Sequence, residues 1–413
     1  MATVLFCPAT FNLAETTRMI EVARALRDEH TPVFMGYEYD FVPLIRDAGF
    51  DYRPRTPVWT RRQRDQAMAF DQGRGIRTPF TTELVSARVD TERELIRELD
   101  AKAVVTGTNI TSWISARAER VPLFYPVPLA LTEPHVGQTR HLGLLPGDGR
   151  MTRWMDRVAS SVLRTIYTKA PLAPRAFETV AKANGVEPLR TVSSLLNADH
   201  NLLTTMQWEI DGFELPANFE RVGPIFAQLD RPLPPVVESL AEDSRPLVYL
   251  GLGSSASRKL ALAAATALAS LPVNVVAPIG HYLEPQDTLP DNVHVTDLLP
   301  AHKLGGLVDA AVLHGGQGTV QTACATGIPF VGMGLQPEQT WNVRVCERRG
   351  NAIAVSPRHV STTRFTDAVR RILADPGYRL TARSVKAEFA AEDGAAASAR
   401  LIEASVARAA GGA

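Results

Sequence analysis

Cysteine is scarce in this sequence. Three residues, Cys7, Cys324 and Cys346, are scattered through 413 positions, with no CxxC pair and no even-numbered framework. This argues against disulfides and metal ligation and suits small buried hydrophobes in a reduced, cytoplasmic chain. Net charge is also lacking. Lys plus Arg and Asp plus Glu number 44 each, so no field marks nucleic acid as the main partner. No uninterrupted apolar run reaches about 18 residues, so no transmembrane segment is expected. The richest candidate, Leu260 to Pro278, reads as an Ala-rich helix and a strand separated by Pro272. The N-terminal MATVLFCPATF has no basic lead and no cleavage site, which predicts a first β-strand and not a signal peptide.

What is present is alternation. At 413 residues two domains are expected. Strand-like runs at Val4 to Cys7, Val33 to Gly36, Ala103 to Thr106 and Leu123 to Val127 alternate with helical periodicity at Glu15 to Glu29, Thr82 to Leu99 and Ser112 to Arg120. The pattern predicts an α/β chain with a parallel, doubly wound sheet, closed by a strand at Asn201 to Thr205. From Gly223 the text GPIFAQLDRPLPP carries four prolines, which reads as an extended linker or as an ordinary surface loop. Strands at Pro246 onward, Val273 to Ala277, Val293 to Thr296, Ala310 to Leu313 and Phe330 to Met333 then repeat the alternation. The expected division is residues 1–223, a linker at 224–245, and 246–413.

One stretch organises the second half. Ala310 to Gly350 reads AAVLHGGQGTVQTACATGIPFVGMGLQPEQTWNVRVCERRG. An apolar strand ends in His314, Gly315, Gly316 and Gly318 form a tight turn, and a helix is predicted from Thr319 to Gly327. Glycines there permit positive φ and close approach of a ligand to the backbone, and a helix start offers free N–H groups to a phosphate. The next strand delivers Glu338, Gln339 and Asn342 to the carboxyl edge of the same sheet, where ligands of open α/β sheets bind.

HGGQGT, GIP and PEQTWN together resemble the donor-binding signature of GT-B nucleotide-sugar glycosyltransferases, the group of antibiotic and macrolide glycosyltransferases and UDP-glycosyltransferases. The resemblance implies the GT-B fold, two Rossmann-like doubly wound domains facing a cleft, with acceptor binding in the first, donor binding in the second, and last helices that cross back to the first. It implies a donor diphosphate held without metal by Gly316, Gln317, Gly318 and Thr319, by the Thr319 hydroxyl and by the His314 ring. Ser254 and Ser255, in GLGSS, resemble the family's glycine-serine turn. Glu338 and Gln339 match its sugar-binding pair, and Asn342 its donor-pocket asparagine. The resemblance implies no cofactor, the nucleotide sugar serving as co-substrate, and names as partners that donor and a small-molecule acceptor, with a second copy of the chain as a candidate.

Several positions depart from the family. Where relatives carry a histidine base after the first strand, Pro8-Ala9-Thr10-Phe11-Asn12 presents Asn12, and an amide takes no proton in a useful pH range. The aspartate that orients that histidine is missing after Val104-Val105, where Thr106 and Gly107 stand. The ribose-binding acid is Thr322, beside Gln321, and the base-stacking aromatic is replaced in Asp297-Leu298-Leu299-Pro300, which leaves backbone contacts around Leu299 and Ala301. Candidates for the lost base are Glu15, in the first helix, and His135, in the loop after Val127. A mechanism without a base is the third option.

The expected activity is an inverting, metal-independent transfer of a sugar from a UDP- or dTDP-type donor to a natural product. The alternative is a non-catalytic GT-B protein that binds a nucleotide sugar or activates a partner enzyme. Two stretches stay open. Arg55 to Pro79, with Arg61, Arg62, Arg64, Arg74 and Arg77, reads as a solvated loop or as an acceptor lid. Thr152 to Arg175, with Trp154, Val158, Val162 and Ile166 at helical spacing, reads as a helix packed on its own domain or as one lying on a membrane surface.

Overall fold

The computed structural model describes every residue except 38, 72–77, 146–148 and 412–413. The chain divides into two compact units. The first comprises Met1–His141, Trp154–Ile225 and the chain from Asp393 on, and the second comprises Leu142–Arg153 and Phe226–Glu392.

Unit 1 is built on β1 (Thr3–Cys7), β2 (Thr31–Gly36), β3 (Asp51–Pro54), β4 (Ala103–Thr106), β5 (Leu123–Val127), β6 (His200–Leu203) and β7 (Phe219–Arg221). They form one parallel sheet in the order β3-β2-β1-β4-β5-β6-β7. The central strands are buried along their length, but for Thr3 at the start of β1, because helices cover both faces, which explains their continuous apolar runs. The outermost strands, β3 and β7, escape the sequence reading. They are short and carry Asp51, Arg53, Glu220 and Arg221, a composition suited to sheet edges.

Unit 2 repeats the design with β8 (Leu247–Gly251), β9 (Asn274–Ala277), β10 (Val293–Val295), β11 (Ala310–Leu313), β12 (Phe330–Gly332) and β13 (Ala352–Ala354). These six strands are parallel, in the order β10-β9-β8-β11-β12-β13. Its core joins Val248, Leu250, Val312 and Val331 to the small face Ala261, Ala264, Ala265 and Leu268 of the helix Arg258–Ala269. In each sheet the strand order reverses once, between β1 and β4 in unit 1 and between β8 and β11 in unit 2. Such a reversal opens a crevice beyond the carboxyl ends of the strands.

The last helix, Gly394–Gly411, groups with unit 1 and packs on its first helix, Leu13–Leu26. Gly394 makes the return: a Cβ there would lie 2.3 Å from the Gly223 carbonyl oxygen. The preceding helix, Pro376–Ala390, stays with unit 2.

Several local expectations change. The helix after the glycine turn starts at Gln317, two residues earlier than its polar text suggests, with Gly316 as N-cap. Residues 235–241 of the Pro-rich stretch form a helix, Pro235 taking the first-turn position where a missing N–H costs nothing. His135 lies in a short helix, Glu133–Gln138, and not in a loop. Arg61–Asp71 is helical within the expected loop, while Arg74 and Arg77 lie outside the described residues. The helix Arg150–Thr168 shows its apolar residues to solvent and buries Asp156 and Ser160, the reverse of ordinary packing.

Asn12 caps the helix Leu13–Leu26, its Oδ1 accepting from the N–H groups of Ala14 (3.1 Å) and Glu15 (3.3 Å). Asn12→Ala removes this cap and is expected to lower unfolding stability by about 1 kcal/mol, read as a shifted denaturant midpoint at unchanged m-value.

Candidate functional site

The site of unit 2 grows from the β8/β11 reversal. His314 follows the last residue of β11, and its ring lies against the end of β8. Its Nδ1 is 3.3 Å from the Gly251 carbonyl oxygen, which can only accept, so Nδ1 carries the proton. Burial lowers the His314 pKa to about 4, against a smaller opposing effect of the Gly251 contact, so the ring is neutral at pH 7 and Nε2 is a bare acceptor. A Cβ at Gly316 would sit 2.4 Å from that Nε2, and one at Gly253 would sit 2.6 Å from Cε1. Glycines on both loops therefore make room for the imidazole. Gly315, at φ 87°, brings its backbone against Gln339, where a Cβ would approach the carbonyl oxygen to 2.6 Å.

The first-turn N–H groups of this helix, those of Gly318 and Thr319 among them, precede its first i→i−4 bond and form the anion-attracting end of this crevice. The Thr319 hydroxyl is not a ready donor, because it already donates to the Gly316 carbonyl (2.9 Å). Thr322 likewise donates to Gly318 (2.8 Å). The short turn Leu299 to Ala301 adjoins this helix, but the Ala301 N–H is engaged with the Leu299 carbonyl (2.9 Å). That removes one of the backbone donors expected there.

The helix Pro337–Arg349 closes the group. Gln339 is buried, its Oε1 accepting from the Leu335 N–H (3.1 Å) and its Nε2 donating to Ser255 Oγ (3.3 Å). The Ser255 hydroxyl proton is not consumed by that bond, and Ser254 is exposed beside it. Asn342 Nδ2 donates to the Gly315 carbonyl (3.0 Å) and to Glu338 Oε1 (2.6 Å), which fixes the Glu338 carboxylate one helical turn away. The structure thus brings together Ser254, Ser255, His314, the glycine turn, Glu338, Gln339 and Asn342 in one unit.

In unit 1 the β1/β4 reversal holds a carboxylate. Glu15 accepts from the Ala9 N–H after β1 (3.2 Å) and from the Thr108 N–H after β4 (2.9 and 3.1 Å), bridging the two strand ends. Its pKa is raised by burial, opposed by the Thr108 and Ala9 hydrogen bonds and by the Arg18 charge. A Cβ at Gly107 would lie 2.2 Å from Glu15 Oε2. The space that a side chain on β4 would use is therefore filled by a carboxylate arriving from the helix. His135 is elsewhere, stacked on Phe213 with ring centroids 5.7 Å apart, and burial lowers its pKa to about 4.

Two features escaped the sequence reading. The Thr10 hydroxyl, also beyond β1, is buried with no hydrogen-bond partner among the described residues. Glu92 is fully buried and accepts from Tyr37 (2.5 Å), Thr111 (2.6 Å) and Ser115 (2.7 Å), while Arg88, one turn earlier, lies over the rings of Tyr37 and Trp59 at 3.7 and 4.3 Å. The signal was an Arg and a Glu four apart on a helix face otherwise lined by Val85, Val89 and Ile96. This lattice fixes an aromatic wall of Tyr37, Tyr39, Trp59 and Phe11 beyond the carboxyl ends of β1 to β3.

The Gly107–Glu15 fit makes a testable pair. Gly107→Ala is expected to destabilise by roughly 1–3 kcal/mol through overpacking, and the loss should shrink in a Glu15→Ala background, a non-additivity that a double-mutant cycle of denaturation midpoints measures.

Residues 264–404 match the model of the erythromycin biosynthesis protein CIII-like C-terminal domain. The chain is 26% identical over 392 residues to a PGL/p-HBAD biosynthesis glycosyltransferase of Mycobacterium tuberculosis (strain ATCC 25177 / H37Ra), covering 94% of this chain and 88% of the relative. It is 30% identical over 280 residues to 4'-demethylrebeccamycin synthase of Lentzea aerocolonigenes, covering 63% of each. Among solved structures, the glycosyltransferase VinC in complex with DTDP superposes with a TM-score of 0.69 at 18% identity, over 98% of this chain and 100% of that one. The chain is thus similar to glycosyltransferases of these kinds, matches an EryCIII-like C-terminal domain over residues 264–404, and has the GT-B fold of two parallel-sheet Rossmann-like units.

Proposed function

We propose that this protein is an inverting, metal-independent glycosyltransferase that uses a dTDP- or UDP-sugar, with Glu15 accepting the proton of a small natural-product acceptor. The observation that carries the reading is the His314 crevice: a neutral imidazole beside a helix N-terminus, with a carboxylate, an amide and two serine hydroxyls within the same unit. Gln317, Gly318 and Thr319 hold the diphosphate through backbone N–H groups, and Ser254 and Ser255 donate hydroxyls to it. Glu338 and Gln339 take the sugar hydroxyls, with Asn342 keeping Glu338 in place. The DTDP bound to VinC, a structural relative, supports a thymidine-type donor.

In the reaction the acceptor oxygen forms a bond to the anomeric carbon as the bond from that carbon to the diphosphate breaks. The acceptor proton passes to Glu15, and the nucleoside diphosphate leaves with both electrons of the broken bond. Asn12 cannot take the proton, since its Oδ1 already accepts two backbone N–H groups and an amide is too weak a base. Developing charge on the diphosphate is met by the helix end, so no cation is required. Chelator treatment should leave turnover unchanged.

Glu15→Gln is expected to lower kcat by about 10²–10⁴-fold while the Kd for nucleoside diphosphate stays within a few-fold of wild type. Product formation is read by mass spectrometry across a panel of nucleotide sugars and acceptors. The rising limb of the rate against pH should lie above the ordinary carboxylate range, because Glu15 must be ionised and its pKa is raised. A protein that binds donors yet never releases nucleotide or product would move the assignment to a binding or activator role. Glu15 lends that second reading its one support, since both its oxygens already serve backbone N–H groups.

His314 gives a separate handle. Its pKa is about 4 in the free protein, and an adjoining diphosphate raises it, so binding takes up a proton. Affinity for thymidine diphosphate should therefore increase as pH falls from about 8 to about 5, and His314→Ala should flatten that slope. Calorimetry in buffers of different ionisation enthalpy counts the proton directly.

A further inference from the structure

The helix Arg150–Thr168 is attached by its polar side. Arg164 donates to the carbonyls of Val136 (3.2 Å) and Thr139 (2.8 Å), and the Tyr167 hydroxyl donates to the Leu131 carbonyl (2.7 Å). Asp156, its one acidic residue, is buried with its carboxylate 3.6 Å from His141 Nδ1. The opposite face carries Met151, Trp154, Met155, Val158, Val162 and Ile166 at three- and four-residue spacing, all exposed, with Trp154 at 61%. Arg150, Arg153 and Arg157 form a ridge beside this stripe, exposed and without an ion pair among the described residues. An apolar ridge with a basic flank and no exposed acid has the composition of helices that lie in the plane of an anionic lipid surface.

We propose that this face docks the protein peripherally on an anionic bilayer, Trp154 and its apolar neighbours entering the interface while Arg150, Arg153 and Arg157 meet lipid phosphates. The inference goes beyond the transfer reaction and does not depend on it. No helix among the described residues is long and apolar enough to cross a membrane, so the contact is superficial. A second copy of the chain fits the face less well. Antiparallel two-fold pairing would set the arginine ridge of residues 150–157 against residues 161–168 of the other copy, which carry no acid, and the helix offers no exposed carboxylate to answer it in either direction.

The test is flotation of the full chain with phosphatidylcholine vesicles with and without phosphatidylglycerol. Binding is expected only to the anionic vesicles and is expected to weaken with added salt. Arg153→Glu with Arg157→Glu should lower partitioning by more than about tenfold. Trp154→Ser with Val158→Ser should abolish it at an unchanged melting temperature, since both side chains are exposed. Protein that stays soluble with anionic vesicles, or variants that float like wild type, would overturn the proposal. So would a stable dimer in sedimentation velocity that the serine pair dissociates, because that assigns the stripe to a second copy.

Discussion

Parallel sheets depend on helices to cover both faces, and a doubly wound parallel sheet must reverse its strand order somewhere. In this protein each reversal leaves two loops diverging from adjacent strand ends, and the polar side chains that do not serve packing collect there. The two crevices are filled differently. At β8 and β11 an aromatic base, His314, fills the gap and glycines retreat from it. At β1 and β4 an acid, Glu15, fills the gap and ties the two loops through backbone N–H groups. One unit is thereby shaped around a neutral ring and a helix N-terminus, and the other around the buried carboxyl group of Glu15.

The fold was legible because its signals are local and strong. Runs such as Val4 to Cys7 and Ala310 to Leu313 are apolar throughout, which only a doubly covered strand requires. The donor-side group was legible for a similar reason, since a glycine turn, a helix and the polar start of a second helix follow one another within about thirty residues. The edge strands Asp51 to Pro54, Phe219 to Arg221 and Ala352 to Ala354 were missed because such short segments, paired on one side only, look like loops.

What stayed hidden depends on contacts far apart in sequence. Nothing beside Glu15 announces that its carboxylate meets Thr108, 93 residues on. His135 sits between Pro134 and Val136 in a helix of six residues, too short for its burial against Phe213 to leave a periodic mark. The Thr319 hydroxyl reads as a donor in a motif, yet it closes a bond to Gly316, as Thr322 does to Gly318, the habit of hydroxyls one turn from a carbonyl. The stripe around Trp154 was visible as a stripe, but periodicity gives the angle between two faces and not which of them points outward.

The fit between Gly107 and Glu15 has a consequence for engineering and for descent. A carboxylate hung from β4 and one hung from the first helix compete for the same few cubic ångströms, so the two arrangements exclude each other. Grafting a histidine at position 12 with an aspartate at position 107 must therefore delete the Glu15 side chain in the same step. An aspartate placed at 107 while Glu15 remains meets a steric overlap and two like charges in one hole, and a histidine at 12 removes the cap of the first helix. The order of change therefore matters: the Glu15 side chain has to leave before a carboxylate can enter from position 107.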